Sequence, residues 1–183
     1  MAVTMDGKRG ISPWRYVPWL VAACLLCVPA IAMRFTSEVN WTGSDFVIMG
    51  VMLTLACGTW ELAARASGSW AYRGGVALAV LGVFLLIWIN LAVGIIDTEN
   101  DDANMMFAGV IAVLVGGACL ARFGAAGMVG ATVAAAIAQV AVGFIALIAG
   151  RDVTALIMGM MFCVFWLGSA WLFRVASRGV PAR

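Results

Sequence analysis

Between Arg73 and Asp97 the chain reads GGVALAVLGVFLLIWINLAVGII, residues 74–96, without a single charge. About 20 consecutive apolar residues are needed for a helix to cross the roughly 30 Å hydrocarbon core of a bilayer. The stretch therefore predicts a transmembrane helix, with a basic residue at one end and an acidic residue at the other.

The rest of the chain repeats this pattern of long apolar stretches and short polar connections. Hydrophobic residues make up 64% of the chain and charged residues 11%, whereas a soluble domain carries about 25% charged residues. We predict an all-α, six-transmembrane-helix bundle of antiparallel hairpins, forming a single integral membrane domain over residues 1–183. The predicted spans cover residues 14–33, 46–64, 74–96, 105–121, 128–149 and 153–173. We expect the first span to be retained rather than cleaved as a signal peptide.

Charges of opposite sign alternate between successive connections. The basic residues of one set of connections and of both termini are Lys8, Arg9, Arg15, Arg65, Arg73, Arg122, Arg174, Arg178 and Arg183. The acidic residues of the other set are Glu38, Asp45, Asp97, Glu99, Asp101, Asp102 and Asp152. Only Arg34 and Arg151 break the basic pattern. Because basic residues concentrate on the cytoplasmic side of a membrane, we predict that both termini are cytoplasmic.

Small residues recur at helical spacing in the fourth and fifth predicted spans. Span five has one row at Gly127, Ala131, Ala135 and Gly143, interrupted by Gln139, and a second row at Gly130, Ala134 and Ala138. Span four has Ala108, Ala112 and Gly116, with Gly117 and Ala121 beside them. Small residues let transmembrane helices approach closely. We therefore predict that spans four and five are the closest pair, or that one of these faces binds a membrane-protein partner or a second copy.

Three polar residues inside the spans are candidates for lining a small cavity: Glu61, Asn90 and Gln139. An ionisable residue at membrane depth suggests a functional site. Glu61, however, precedes Arg65 by four residues, which favours a simple ion pair near the cytoplasmic end of the helix. Asn90 and Gln139 could instead bridge helices through hydrogen bonds.

Other chemistries find little support in the sequence. There is no histidine, so the commonest metal and haem ligand is missing. Cys24 and Cys27 share a helix face, but all five cysteines lie in apolar runs, where thiols are usually inert. The acidic run 97–102 resembles a calcium loop in composition but lacks its glycine and closing glutamate. We predict no enzyme activity, no cofactor, no metal site and no nucleic-acid binding.

Three segments resemble those of an uncharacterised family of small bacterial multi-pass inner-membrane proteins: RFTSEVNW at 34–41, WELAAR at 60–65 and WINLAVGII at 88–96. The family often has Asn-Pro-Ala-Asn-Leu-Met after an acidic stretch, where this chain has Asp102-Ala103-Asn104-Met105-Met106 after Asp101 and no proline. The resemblance implies a bacterial inner-membrane location and no known activity.

These observations favour a non-enzymatic accessory or structural subunit of a membrane assembly. The alternative is a small-solute or ion channel or transporter with a polar path near Glu61, Asn90 and Gln139. Transporters usually show broken helices or internal repeats, and neither is convincing here.

Overall fold

A computed structural model describes residues 16–97 and 101–179 of the chain. This part is all-helical and contains no strand. Its helices are α1 (Val17–Ala32), α2 (Gly43–Ala66), α3 (Trp70–Ala92), α4 (Met106–Leu120), α5 (Ala125–Ile148) and α6 (Thr154–Arg178), with a short 3₁₀ helix over Asp102–Met105 before α4. The sequence predictions made for Lys8, Arg9, Trp14, Arg15, Glu99 and Arg183 concern residues outside the described ranges.

Five helices are long and apolar enough to cross a membrane: α2, α3, α4 together with its 3₁₀ turn, α5 and α6. This agrees with a multi-pass membrane protein. The α1 helix has 16 residues, a rise of roughly 24 Å at 1.5 Å per residue. Length therefore supports five crossings in the described ranges, and the crossing by α1 stays a prediction.

The chain divides into two compact units, Met1–Glu61 and Leu62–Arg183. In the first unit α1 and α2 form an antiparallel hairpin. The Cys57 thiol donates to the carbonyl oxygen of Pro18 at 3.5 Å, and a Cβ added to Gly50 would lie 4.0 Å from Leu26. Residues early in α1 thus meet residues late in α2.

The α2 helix begins three residues earlier than predicted because Thr42 and Asp45 cap its first turn. The Asp45 carboxylate accepts hydrogen bonds from the Thr42 backbone N–H at 2.7 Å and from the Thr42 hydroxyl at 2.8 Å. Trp41 packs edge-on against Phe46, with ring centroids 5.2 Å apart. These are the positions at which a hydrophobic staple fixes the entry of the chain into a helix.

The four helices α3 to α6 of the second unit are antiparallel hairpins. At one end the Tyr72 hydroxyl, early in α3, donates to the carbonyl oxygen of Phe123 in the α4–α5 turn at 2.8 Å. At the other end Arg151, after α5, is paired with Asp97 and Asp101, between α3 and α4. We call these the Tyr72 end and the Arg151 end. The hairpin prediction is confirmed for this unit.

The prediction that spans four and five are the closest pair is wrong, because the most extensive helix contact is between α5 and α6. The small-residue row of α5 serves both of its neighbours. A Cβ on Gly117 of α4 would lie 2.9 Å from the Ala131 Cβ, and a Cβ on Gly143 would lie 3.0 Å from the Leu156 Cα of α6. Both contacts require glycine.

The expected small-residue row of span four does not pack on α5. Ala108, Ala112 and Gly116 are exposed, and a Cβ added to Gly109 or Gly116 would meet no atom within 4 Å. The α4–α5 contact uses Gly117 and Ala121 instead, which lie on another face of the helix.

The α3 helix ends at Ala92, four residues before the predicted end of span three. Gly94 has φ +73°, and its N–H bonds to the carbonyl oxygen of Ile89 at 3.1 Å. A left-handed glycine after the last turn is a common helix stop. Ile95 and Ile96 then turn back into the core, where both are buried. Hydrophobicity alone could not show this stop.

Candidate functional site

Glu61 lies in the first unit, near the end of α2. Its carboxylate accepts a hydrogen bond from the indole N–H of Trp19 on α1 at 3.3 Å. The side chain is half-buried. An indole donor next to a carboxylate near a helix end suits the membrane–water interface, where tryptophan is enriched.

Asn90 lies two residues before the end of α3 in the second unit. Its side-chain N–H donates to the carbonyl oxygen of Leu86 in the same helix at 2.7 Å. Its Oδ1 is buried without a hydrogen-bond partner. The amide therefore makes no bridge to another helix, and its acceptor is unsatisfied.

Gln139 lies in the middle of α5 and is completely buried. The Trp166 indole N–H of α6 donates to its Oε1 at 3.4 Å. Since indole N–H is only a donor, this contact fixes which amide atom is the oxygen. Its Nε2 is left buried without a partner. The bridging prediction holds for Gln139 in part: one atom bridges α5 to α6 and the other is unsatisfied.

Asn90 and Gln139 lie in the same unit, at similar levels along α6. Gly82 of α3 faces Phe165 and Trp166, while Gln139 faces Gly159. Continuing α3 by two turns from Gly82 places Asn90 close to the level of Gly159. Their complementary atoms, Oδ1 and Nε2, are nevertheless not bonded to each other.

A polar residue that the sequence analysis did not single out closes the α3–α4 connection. Asn104 Oδ1 accepts from the N–H groups of Ile95 at 3.0 Å and Ile96 at 2.9 Å, and Asn104 Nδ2 donates to the Ile96 carbonyl oxygen at 3.2 Å. The side-chain amide of Asn104 thus supplies hydrogen bonds to Ile95 and Ile96 that backbone groups would supply in a helix. An asparagine between an acidic loop and an apolar run is the only signal that could have indicated this role.

At the same end of the unit Arg151 forms ion pairs with Asp97 and Asp101. A second guanidinium nitrogen donates to the other oxygen of Asp101 at 3.3 Å, which gives a two-pronged contact. Gly150 positions Arg151, since its φ of +80° ends α5 and the Arg151 N–H bonds back to the Ala146 carbonyl at 3.0 Å.

These contacts shift the ionisation of the loop residues. The pKa of Asp101 is lowered mainly by a hydrogen bond from the Ala103 N–H and further by Arg151, while partial desolvation opposes the shift. Hydrogen bonds to Asp97 and Asp101 raise the pKa of Arg151. The pKa of Asp152 is lowered by the N–H and hydroxyl of Thr154, which Asp152 caps at the start of α6. The carboxylates of Asp101 and Asp152 therefore accept hydrogen bonds that hold the connections in place, in addition to carrying charge.

Within the described ranges, no three histidine, cysteine or acidic side chains are placed to hold a metal ion. All five cysteines are free thiols. An apolar groove of about 410 Å³ lies between α5 and α6, lined by Val133, Ala136, Ile137, Val140, Met160, Cys163 and Leu167. It offers contact to a hydrocarbon group and no polar recognition.

Comparison with known proteins gave no match to any family model, curated protein or solved structure. The site must therefore be interpreted from its own geometry.

Proposed function

We propose that the chain is a non-enzymatic, multi-pass protein of the bacterial inner membrane, with six spans and both termini in the cytoplasm. It acts as an accessory or structural subunit of a membrane assembly. The bacterial location is supported only by the family resemblance of the three sequence segments and by the charge pattern.

Charge segregation in the second unit supports the orientation. The Tyr72 end carries Arg73, Arg122, Arg174 and Arg178, and the Arg151 end carries Asp97, Asp101, Asp102 and Asp152. Among the described residues of this unit, Arg151 is the one basic residue at the acidic end, and it is paired with two carboxylates. Its charge is therefore compensated locally, and the positive-inside rule assigns the Tyr72 end to the cytoplasm.

The observation that carries the accessory role is the exposed small-residue face of α4. Several glycines of the second unit serve internal packing, as at Gly117 and Gly143, while Gly130 of α5 is a single open glycine. Gly109 and Gly116 of α4 both face open space. In lipid, such a face lets a second helix pack closely by dispersion, so it suits a partner protein.

The test is purification of the full chain in nanodiscs, with native mass spectrometry of any bound protein. Gly116→Leu would obstruct a partner on α4 without a clash inside the chain. Gly130→Leu is the matched control, since a Cβ there also meets no atom within 4 Å. We expect a stoichiometric partner that Gly116→Leu removes and Gly130→Leu retains. A chain that carries no protein partner contradicts the accessory role.

A channel or transporter is the second candidate, because Asn90 Oδ1 and Gln139 Nε2 are both buried and unsatisfied. A buried polar atom without a partner costs about 1–3 kcal/mol, and a solute that bonded both atoms would recover this cost. Each atom has less than 1 Å² of exposed surface, so the unit would have to open first. Solute flux into liposomes that falls with Gln139→Met, Asn90→Leu or Glu61→Gln would favour this candidate.

A further inference from the structure

The Tyr72 end carries arginines that are not used in internal contacts. Arg73 is used: its guanidinium donates to the carbonyl oxygens of Ser67 at 2.7 Å and Ala64 at 2.8 Å, which caps the end of α2. Arg122, Arg174 and Arg178 are exposed, and no carboxylate in the described part of the chain pairs with them. Their charge is available to a ligand.

Tyr72 contacts the residues next to two of these arginines. Its hydroxyl holds the carbonyl of Phe123 at 2.8 Å, and its ring lies edge-on to that of Phe173 at 5.4 Å. Arg122 directly precedes Phe123 and Arg174 directly follows Phe173. The Tyr72 side chain therefore contacts both the α4–α5 turn and the last turns of α6.

The backbone of this turn is strained. Arg122 has φ +48° and Phe123 has φ +57°, a left-handed conformation that costs about 1–2 kcal/mol per residue for side chains other than glycine. Both residues of this strained turn are exposed to the surroundings, and Phe123 is 59% exposed. Strained residues cluster at binding and switch sites.

Two exposed tryptophans lie near the same end of α3 and α6. Trp70, two residues before Tyr72, is 70% exposed, and Trp171 of α6 is 62% exposed. Tryptophan at the ends of spans lies at the level of lipid headgroups. The three arginines, in the turn and near the end of α6, are therefore placed within reach of lipid phosphates.

We propose that Arg122, Arg174 and Arg178, together with Phe123, form a binding surface for the headgroup of an anionic phospholipid. The guanidinium groups would pair with the phosphate, which arginine contacts with two parallel hydrogen bonds. Phe123 would lie against the glycerol and upper acyl region. Basic surfaces on the cytoplasmic side of membrane helices bind acidic headgroups in this way. The proposal rests on the proposed orientation of the Tyr72 end toward the cytoplasm, and it is independent of the accessory role and of any partner on α4.

The test is native mass spectrometry of the detergent-purified full chain titrated with phosphatidylglycerol, and separately with phosphatidylcholine of the same acyl chains. We expect a clear preference for phosphatidylglycerol that weakens as ionic strength rises. Arg122→Gln should lower its apparent affinity roughly fivefold, which corresponds to the loss of about 1 kcal/mol from one cation. Adding Arg174→Gln should lower it further.

Arg34→Gln is the matched control, because Arg34 is also exposed but lies in the α1–α2 connection. It should leave the affinity unchanged. Arg122→Lys keeps the charge at the strained position but loses the two-pronged guanidinium contact, so its affinity should lie between those of the unchanged protein and Arg122→Gln. Thermal unfolding of every variant reports whether the fold is intact.

Equal affinity for the two lipids would overturn the proposal. So would an equal effect of Arg34→Gln and Arg122→Gln on the affinity for phosphatidylglycerol.

Discussion

At the scale of single residues, the second unit depends on side chains that take over the role of backbone groups. Asn104 satisfies three polar groups of Ile95 and Ile96 at a place where the chain is neither helix nor strand. Arg73 does the same for two carbonyl groups at the end of α2. Near lipid, such backbone groups have few alternative hydrogen-bond partners. Loss of one of these few contacts should therefore lower the stability of the protein measurably.

We predict that Asn104→Leu destabilises the protein by about 2 kcal/mol, because it leaves two N–H groups without an acceptor. Asn104→Asp should cost less, since it keeps the oxygen that accepts both bonds and loses only the donor. Unfolding of both variants in SDS titrations measures the difference. Hydrogen exchange at the Ile95 and Ile96 amides should rise more in Asn104→Leu than in Asn104→Asp. Equal effects of the two substitutions would show that the Asn104 oxygen is not the important atom.

At the scale of helices, close packing between α5 and α6 depends on glycine. Gly143 allows Leu156 to approach so closely that an added Cβ would lie 2.8 Å from its Cδ1 and 3.0 Å from its Cα. Such an overlap requires the backbone to move, since the Cα cannot rotate away.

Gly143→Ala should therefore destabilise the protein by about 1–3 kcal/mol, the usual cost of overpacking. Gly130→Ala is the control, since its Cβ meets no atom within 4 Å, and alanine favours a helix more than glycine does. That variant should be neutral or more stable in the same unfolding assay. Leu156→Ala added to Gly143→Ala should recover only part of the loss, because the contact with the Cα remains. Full stability of Gly143→Ala alone would refute this account of the α5–α6 contact.

The connections at the Arg151 end should make stability depend on acid pH. The folded-state pKa values of Asp101 and Asp152 are lowered by hydrogen bonds. A lowered pKa contributes stability that is present above the ordinary aspartate value, about 3.9, and is lost as pH falls through the folded value. We expect the melting temperature to be steady near neutral pH and to fall below about pH 4.

Arg151→Gln should reduce this acid dependence by removing the cation that pairs with Asp101, and it should lower the melting temperature at pH 7 only slightly, because the pair is partly exposed. Melting temperatures of the unchanged protein and of Arg151→Gln between pH 7 and pH 3 provide the comparison. An unchanged acid dependence in Arg151→Gln would assign the effect to the hydrogen bond from the Ala103 N–H to Asp101, or to other carboxylates.

At the scale of the whole molecule, the main question is how the chain lies in the membrane. Five helices are long enough to cross it, and the proposed sixth crossing is that of α1. With six crossings, residues at the two ends of the second unit face opposite compartments, and Arg34 lies on the same side as Asp152.

Labelling of single cysteines in intact cells tests this topology. In a variant without the five native cysteines, a membrane-impermeant maleimide should label Arg34→Cys and Asp152→Cys from outside, and Arg178→Cys only after lysis. The native cysteines are free thiols, so their replacement removes no disulfide. Labelling of Asp152→Cys and Arg178→Cys from the same side would contradict the hairpin arrangement. Labelling of Arg34→Cys only after lysis would contradict the crossing by α2, and labelling of a Lys8→Cys variant from outside would contradict the crossing by α1.

The sequence determined the class of protein, because hydrophobic length and charge alternation act locally along the chain. Long uncharged stretches such as residues 74–96 were expected to be helical in lipid, since each backbone group must be satisfied within its own segment, and the structure departs from this only after Ala92. The antiparallel order of α3 to α6 followed from the short connections. Glu61, Asn90 and Gln139 could also be identified from the sequence, because polar residues are rare inside apolar spans.

Only the tertiary structure decided which faces meet and which polar atoms find partners. Small residues at a spacing of four occur in both α4 and α5, but the pattern cannot tell a packed face from an exposed one. Packing placed Gly143 against Leu156 and left Gly116 open. In the same way, Gln139 Oε1 accepts a hydrogen bond from Trp166 while Gln139 Nε2 has no partner. Contacts between residues distant in the chain depend on how whole helices approach each other, which the sequence pattern does not show.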